Sequence, residues 1–324
     1  MITKPDFVEK KLIMVYPQDG EKISFKNDNI IVETSNGNIK FQLSCYRLIA
    51  VYIVGGFTLT SGIIEKSKNF GFSILMFSYS FKLYASINYK MDGNTLLRKK
   101  QYVSQLGNAI SKEIIINKLY SQIYILEKLR TKEAKEGENI LLANIEKLAN
   151  NAITDEGIMG IEGICAKVYF NRIFSEMNWK GRQPRLKRDT TNLLLDIGYT
   201  ILFNYIEGIL NFYGFDIYKG NLHKEFFKRK SLVCDMIEPF RPIIDYKIRK
   251  MNNLGQLRNY NFKIVNSQYS LDWKDSKRFT LEILGEINAF KEEIFDFIQS
   301  YYRWFMKQGK IEDFPKVRLS NDTN

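Results

Sequence analysis

Histidine is nearly absent from this sequence: His223 is the only one in 324 residues. Any metal centre here can therefore take no more than one imidazole from the chain. Cysteine is scarce too, and Cys45, Cys165 and Cys234 are far apart, odd in number and set among apolar neighbours. With no CxxC pair, a zinc ribbon and a disulfide framework are both excluded, and the three read as buried thiols of a reducing compartment. The opening MITKPDFVEKK has no apolar core or cleavage site of the kind that marks a secretory signal. Long hydrophobic runs are also missing. The most lipid-like one, LIAVYIVGGFTLTSGII from Leu48 to Ile64, is broken by Gly55-Gly56 and by hydroxyl residues. It falls short of a comfortable bilayer span, so the expectation is a cytoplasmic chain with no membrane segment. There is no internal repeat and no low-complexity block.

Acidic residues are the minority charge. Asp plus Glu number 36 against 48 Lys plus Arg, giving a formal charge of +12 and a pI near 9.3. That balance points to a polyanionic partner, nucleic acid first and anionic membrane second. At 45% hydrophobic and 14% aromatic, the chain has material for two cores.

The periodicity changes near residue 95. Before it run short β-like segments, KLIMVY, KISFKN, NIIVETS, NIKFQLS and RLIAVYIVG. Turn signals separate them at Gln18-Asp19-Gly20, Lys26-Asn27-Asp28 and Asn36-Gly37-Asn38. A short helix over 60–69 and two more strands, FSILMFS and KLYASINY, complete this part. After it, apolar residues recur three and four apart over 111–128, 138–150, 155–176, 190–213, 231–251 and 276–307. The fold class is thus α+β: a β-rich domain over 1–94, a small sandwich or sheet, then an all-helical domain over 95–314. A polar tail over 315–324 is expected to fray.

His223 lies just upstream of SLVCDMIEPFRPIID. With Ser231 as N-cap, Asp235 and Glu238 share one helix face, followed by Arg241 and Asp245, while Pro239 and Pro242 kink the helix beside the acids. A DxxE pair also arises as a plain salt-bridged face, and a lone histidine as a satisfied surface residue. The alternative is that imidazole and carboxylate hold one divalent ion. A third ligand is available in DEGIMGIEGICAKVYF, where Glu162 is the charged residue within an apolar stretch carrying Gly157, Gly160 and Gly163. Three glycines in a helix, each less favourable than Ala by roughly 0.8–1 kcal/mol, imply close approach of something else. Between these segments NWKGRQPRLKRD concentrates Lys180, Arg182, Arg185, Lys187 and Arg188 in a loop that is either solvated or bound to phosphates.

Taken in order, GNTLLRKKQY, GIMGIEGICAKVYF, the basic loop running into TTNLLLDIGYTILF, YGFDIYKGNLH and SLVCDMIEPFRPIID resemble the Cas1 family of CRISPR adaptation integrases. These segments extend over about half the chain, from Gly93 to Asp245, and DMIEPFRP downstream of GNLH is the most specific. The resemblance implies a metal centre of Glu162, His223 and Glu238 with Asp235 as a catalytic auxiliary, loaded with Mg²⁺ or Mn²⁺. It also implies an N-terminal domain that forms a homodimer, double-stranded DNA as substrate (captured prespacer and CRISPR repeat), and the small protein Cas2 bridging two such dimers. The implied reaction is attack of a DNA 3′-hydroxyl on a phosphodiester at the repeat boundary, with associated endonuclease activity, in antiviral defence. Arg98 in the LLRKK segment joins the basic loop as a DNA contact; Arg241 is read as orienting Glu238, and Tyr169 and Tyr199 as packing residues close to the site. Two rivals remain: a metal-dependent nuclease or branched-DNA resolvase, and a non-enzymatic nucleic-acid scaffold.

Overall fold

Strand Leu48–Val54 is buried along almost its whole length, which explains why its sequence is continuously apolar rather than alternating. It lies inside a four-stranded sheet, flanked in parallel by Lys11–Val15 and Ser73–Phe77, with Leu83–Ile87 antiparallel at the far edge. The structure, a computed structural model, describes residues 10–17, 20–78, 83–87, 94–151, 153–177 and 179–320. Gln18, Asp19, the ends of KLYASINY, Gly93, Asn178 and residues 321–324 lie outside the described residues.

A second four-stranded sheet runs Ile39–Ser44, Asn29–Glu33, Lys22–Lys26 and Thr58–Leu59. Its central hairpin turns on Asn27 and Asp28, both at positive φ (47° and 56°), which gives a two-residue turn between Lys26 and Asn29. Helix Ser61–Phe70 stops at Gly71, φ 76°, a left-handed cap that glycine adopts without strain. Ile23, Ile30 and Leu48 meet Ile53, Ile63 and Ile74 in one fully buried cluster, so both sheets and the helix share a core. Each such side chain contributes roughly 1.5–3 kcal/mol by burial. Cys45 sits in the same cluster, and desolvation pushes its thiol up to about 11, as an inert buried thiol requires. All three cysteines are free.

The chain divides into two compact units, Met1–Arg98 with Glu207–Phe215, and Lys99–Ile206 with Asp216–Asn324. The end of the long helix Thr190–Tyr213 therefore groups with the first unit, where Asn94 donates to the carbonyl of Tyr213 (3.3 Å). Thr190–Tyr213 is long and apolar enough to cross a membrane, but 72% of its most apolar stretch is buried in the fold, which accounts for its hydropathy.

In the second unit, α3 (Gly107–Leu129) is buried on nearly every side and so has no single apolar stripe. α4 (Lys132–Asn150) and α5 (Asp155–Ile173) pack on it, as does the short turn Glu238–Phe240 between α7 (Ser231–Ile237) and α8 (Arg241–Asn253). That turn is a 3₁₀ segment containing Pro239, the interruption that the two prolines predicted.

The structure corrects three expectations here. The second unit is not all-helical: Phe262–Val265 and Gln268–Leu271 form a hairpin over Asn266 and Ser267, both at positive φ. The apolar stretch over 276–307 is two helices, Trp273–Ala289 and Lys291–Lys307, meeting at Phe290. The polar segment from 315 is held down as far as Ser320. Buried Asn117 donates to the carbonyl of Pro315 (3.0 Å) and accepts from the amide of Val317 (2.7 Å), Lys316 pairs with Glu113 (2.5 Å), and Ser320 meets Glu293 (3.2 Å).

Candidate metal centre

The buried face of α5 consists of Ile158, Ile161, Cys165, Tyr169 and Ile173, and Glu162 stands at its margin. Thr154 caps the helix by accepting the amide of Gly157 (3.2 Å). The glycine expectation holds at only one position. A Cβ on Gly157 would fall 2.5 Å from Ile153, whereas Gly160 and Gly163 have nothing within 4 Å of where a Cβ would sit.

Glu162 and Glu238 come together on one cation that sequence reasoning missed. The ammonium of Lys118, from α3, lies 2.5 Å from Oε1 of Glu162 and 2.7 Å from Oε2 of Glu238. Burial disfavours the charged lysine, but the two carboxylates outweigh it and raise its pKa. Arg241 reaches the other oxygen of Glu238 at 3.1 Å. Burial alone would raise the Glu238 carboxyl; Arg241 and Lys118 reverse this and hold it down at about 2. Its Oε2 is buried and faces Lys118 without hydrogen-bond geometry.

His223 and Asp235 form a second pair, near enough to Glu238 that His223 adds, after Arg241 and Lys118, to the lowering of that carboxyl. Asp235 is fully buried and accepts the amides of Asn221 (2.6 Å), Leu222 (3.1 Å) and His223 (2.9 Å), while Nδ1 of His223 lies 2.8 Å from its Oδ1. A carboxylate can only accept, so Nδ1 donates to it, and in the neutral imidazole tautomer this fixes, Nε2 carries the lone pair. Gly220 is required here: a Cβ would stand 2.7 Å from the His223 carbonyl and from Ser231. Ser231 begins its helix but does not cap it; its hydroxyl donates to the Lys224 carbonyl (3.0 Å) and closes the loop. Among the described residues no three of His, Cys, Asp and Glu converge on a single point.

A cavity of about 340 Å³ opens beside Lys118 and Glu162, lined also by Trp179, Arg182, Tyr199 and Arg241. The ring of Tyr199 lies under the guanidinium groups of Arg241 (4.8 Å) and Arg182 (5.4 Å). Its hydroxyl donates to Asp245, whose carboxyl burial raises to about 7. Tyr199 is thus a polar, cavity-lining residue, whereas Tyr169 is fully buried.

The basic loop separates into two kinds of cation. Arg182 turns inward to Asp196 (2.6 Å) and Asn192 (3.0 Å), and Asn192 in turn accepts the amide of Gln183 (2.8 Å). Lys180, Arg185 and Arg188 are exposed. The Lys187 carbonyl accepts the amide of Tyr269, joining the loop to the hairpin (2.9 Å). Within the first unit, Arg98 donates to the carbonyl of Gly214 (3.2 Å).

A family model described as CRISPR associated protein Cas1 matches residues 14–283. A CRISPR-associated endonuclease Cas1 of Thermodesulfovibrio yellowstonii is 29% identical over 265 residues, covering 77% of this chain and 80% of the relative. Among solved structures, a casposase bound to integration product superposes with a TM-score of 0.75 at 18% identity, covering 96% of each chain. A chain of a partial Cas6-RT-Cas1–Cas2 complex gives 0.70 at 19% identity, covering 96% of this chain and all of its own. At these identities the two structural likenesses show the fold.

Proposed function

The chain belongs to the Cas1 family, and from that premise we propose that it is a metal-dependent DNA integrase that joins 3′-hydroxyl ends of DNA fragments into a CRISPR repeat. The observation that carries this reading is the gathering of Glu162 and Glu238, from different elements, around one buried cation. The Lys118 ammonium stands there as a surrogate cation between two carboxylates, and the imidazole of His223 keeps Nε2 free, so the donor set suits a hard divalent ion with one nitrogen ligand. Glu162, His223 and Glu238 would hold Mg²⁺ or Mn²⁺, which when bound polarises a phosphoryl oxygen and stabilises a departing 3′-oxygen.

The protein's own groups have distinct tasks. Asp235 fixes the imidazole tautomer and its direction. Arg241 pins one oxygen of Glu238, leaving the other toward Lys118. Lys180, Arg185 and Arg188 supply cations for flanking phosphates, whereas Arg182 and Arg98 are committed to internal contacts. The chemistry is transesterification: the attacking 3′-oxygen forms one phosphodiester as another breaks, and the leaving 3′-oxygen takes a proton, so no external energy source is needed.

Double-stranded DNA is the proposed substrate, and Cas2 the proposed partner of a homodimer acting in the cytoplasm. Similarity to a chain from a structure named as a Cas1–Cas2 complex and to a casposase bound to integration product supports both. The name endonuclease on a curated relative favours a second activity of the same centre, strand cleavage with water as nucleophile.

The test is strand transfer of a short 3′-hydroxyl duplex into a repeat-bearing plasmid with Mn²⁺ or Mg²⁺, with and without Cas2. Joined product from wild type and none from Glu162→Ala, His223→Ala or Glu238→Ala supports the reading. Equal product from all four sinks the metal assignment, and cleavage without joining makes the protein a nuclease.

A further inference from the structure

Glu162, Glu238, Lys118 and Arg241 form a cluster whose formal charges cancel, two negative against two positive, with ion-pair distances of 2.5, 2.7 and 3.1 Å. A divalent cation added to this arrangement would meet two fixed positive charges. In a region screened from water that repulsion is several-fold stronger than in bulk solvent. One of the resident cations must move, or negative charge must arrive with the metal.

The two cations differ in their freedom to move. Arg241 is packed over the Tyr199 ring and paired with Glu238 three residues away on its own chain segment. Lys118 reaches its carboxylates on a single flexible side chain from α3, and both cations, with Glu162, lie on the wall of the 340 Å³ cavity. The unbranched lysine chain, free of the ring that holds Arg241, can swing into that cavity, where Trp179, Arg182 and Tyr199 also line the wall.

We infer that Lys118 is a built-in counter-ion of the metal centre, holding Glu162 and Glu238 together in the metal-free protein and keeping divalent-metal affinity low until DNA phosphates arrive to receive the ammonium. The inference rests on the reading that Glu162, His223 and Glu238 hold the metal. It makes Lys118 a positioning residue, and it makes metal and DNA binding mutually reinforcing. By linkage, whatever factor DNA adds to metal affinity, metal adds to DNA affinity. A centre arranged in this way is loaded mainly when substrate is present.

The experiment measures Mn²⁺ affinity by electron paramagnetic resonance of the free ion, using the full chain with and without a short DNA duplex. Wild type, Lys118→Met, Lys118→Arg and Glu162→Ala are compared. Without DNA, Lys118→Met should bind Mn²⁺ at least tenfold more tightly than wild type, while Lys118→Arg, which keeps the charge, stays weak. DNA should tighten wild type tenfold or more and Lys118→Met by little. A lysine that merely stabilised the fold would give the opposite sign, weaker binding on removal.

Equal or weaker Mn²⁺ binding by Lys118→Met overturns the counter-ion role, and so does tighter binding by Lys118→Arg. In either case the metal-centre reading survives if Glu162→Ala abolishes binding. Unchanged Mn²⁺ binding by Glu162→Ala overturns the metal-centre reading, and this inference with it.

Discussion

Nδ1 of His223 lies 2.8 Å from Oδ1 of Asp235, and the same oxygen accepts the backbone amide of His223. One buried carboxylate thus fixes both the ring and the backbone of a residue twelve positions upstream. Asp235 supports the imidazole from behind, so its loss should act through His223.

Asp235→Asn offers an amide nitrogen where backbone amides now donate, so at least one donor loses its acceptor. Strand transfer and Mn²⁺ affinity should each fall about 10–100-fold, the usual loss when a carboxylate supporting a metal-bound histidine is removed. Urea unfolding should show a loss of about 2–4 kcal/mol, since buried hydrogen bonds to a charge are involved. Unchanged affinity would show that the imidazole needs no such support.

Glu162→Ala and Glu238→Ala should both abolish joining, yet they should differ in stability. Glu238 is nearly fully buried between Lys118 and Arg241, and its removal leaves two cations facing one remaining carboxylate. A loss of about 3–5 kcal/mol is expected there. The Glu162 side chain, 20% exposed, should lose less. Thermal melts of the two variants without metal check the order.

Asp245 predicts a pH dependence. Its carboxyl is raised from 3.8 to about 7, chiefly by burial. Folded protein then holds this proton where unfolded chain has released it, so its stabilising effect is full below 3.8 and is lost as pH rises through 7. The slope is about 1.4 kcal/mol per pH unit inside that window. Asp245→Asn should remove this slope from a series of melts between pH 4 and 8. Glu238 acts in the opposite sense and elsewhere, its contribution present above 4.5 and lost as pH falls toward 2.

Replacing Lys180, Arg185 and Arg188 together by Ala should weaken DNA binding and lower the salt slope by roughly two to three, as expected for three lost phosphate contacts. Arg182→Ala should instead destabilise the loop, because its guanidinium joins Asp196 to Asn192. Binding isotherms at several salt concentrations, beside melting curves, separate the two effects.

Much of this architecture was legible in local pattern. The helix over 190–213 matched residue for residue, because an apolar periodicity bounded by polar loops fixes both ends. The DxxE spacing and the following prolines forecast an interrupted helix that carries Glu238. Lys118 escaped notice because its partners lie on other elements, Glu162 being 44 residues away. The available signal was a lysine one turn after Ile114 and Ile115, in the middle of a helix rich in apolar residues. The hairpin at Phe262–Leu271 was missed because its strands have four residues each and none of them is buried, too short for alternation to stand out. Gly160 and Gly163 misled in the other direction: a glycine on an open helix face looks the same in sequence as one under a neighbouring chain.

The clamp at Asn117 has a consequence for biosynthesis. Its amide is satisfied by Pro315 and Val317, 198 and 200 residues further along, and its neighbour in the helix is Lys118. During translation α3 leaves the ribosome long before those partners exist, with the Asn117 amide held only by the Glu113 carbonyl of its own helix (2.9 Å). The helix that carries Lys118 therefore gains its last packing partners only when residue 317 has been made. In the growing polypeptide the order of synthesis thus leaves one wall of the proposed metal centre to be completed by nearly the last residues described.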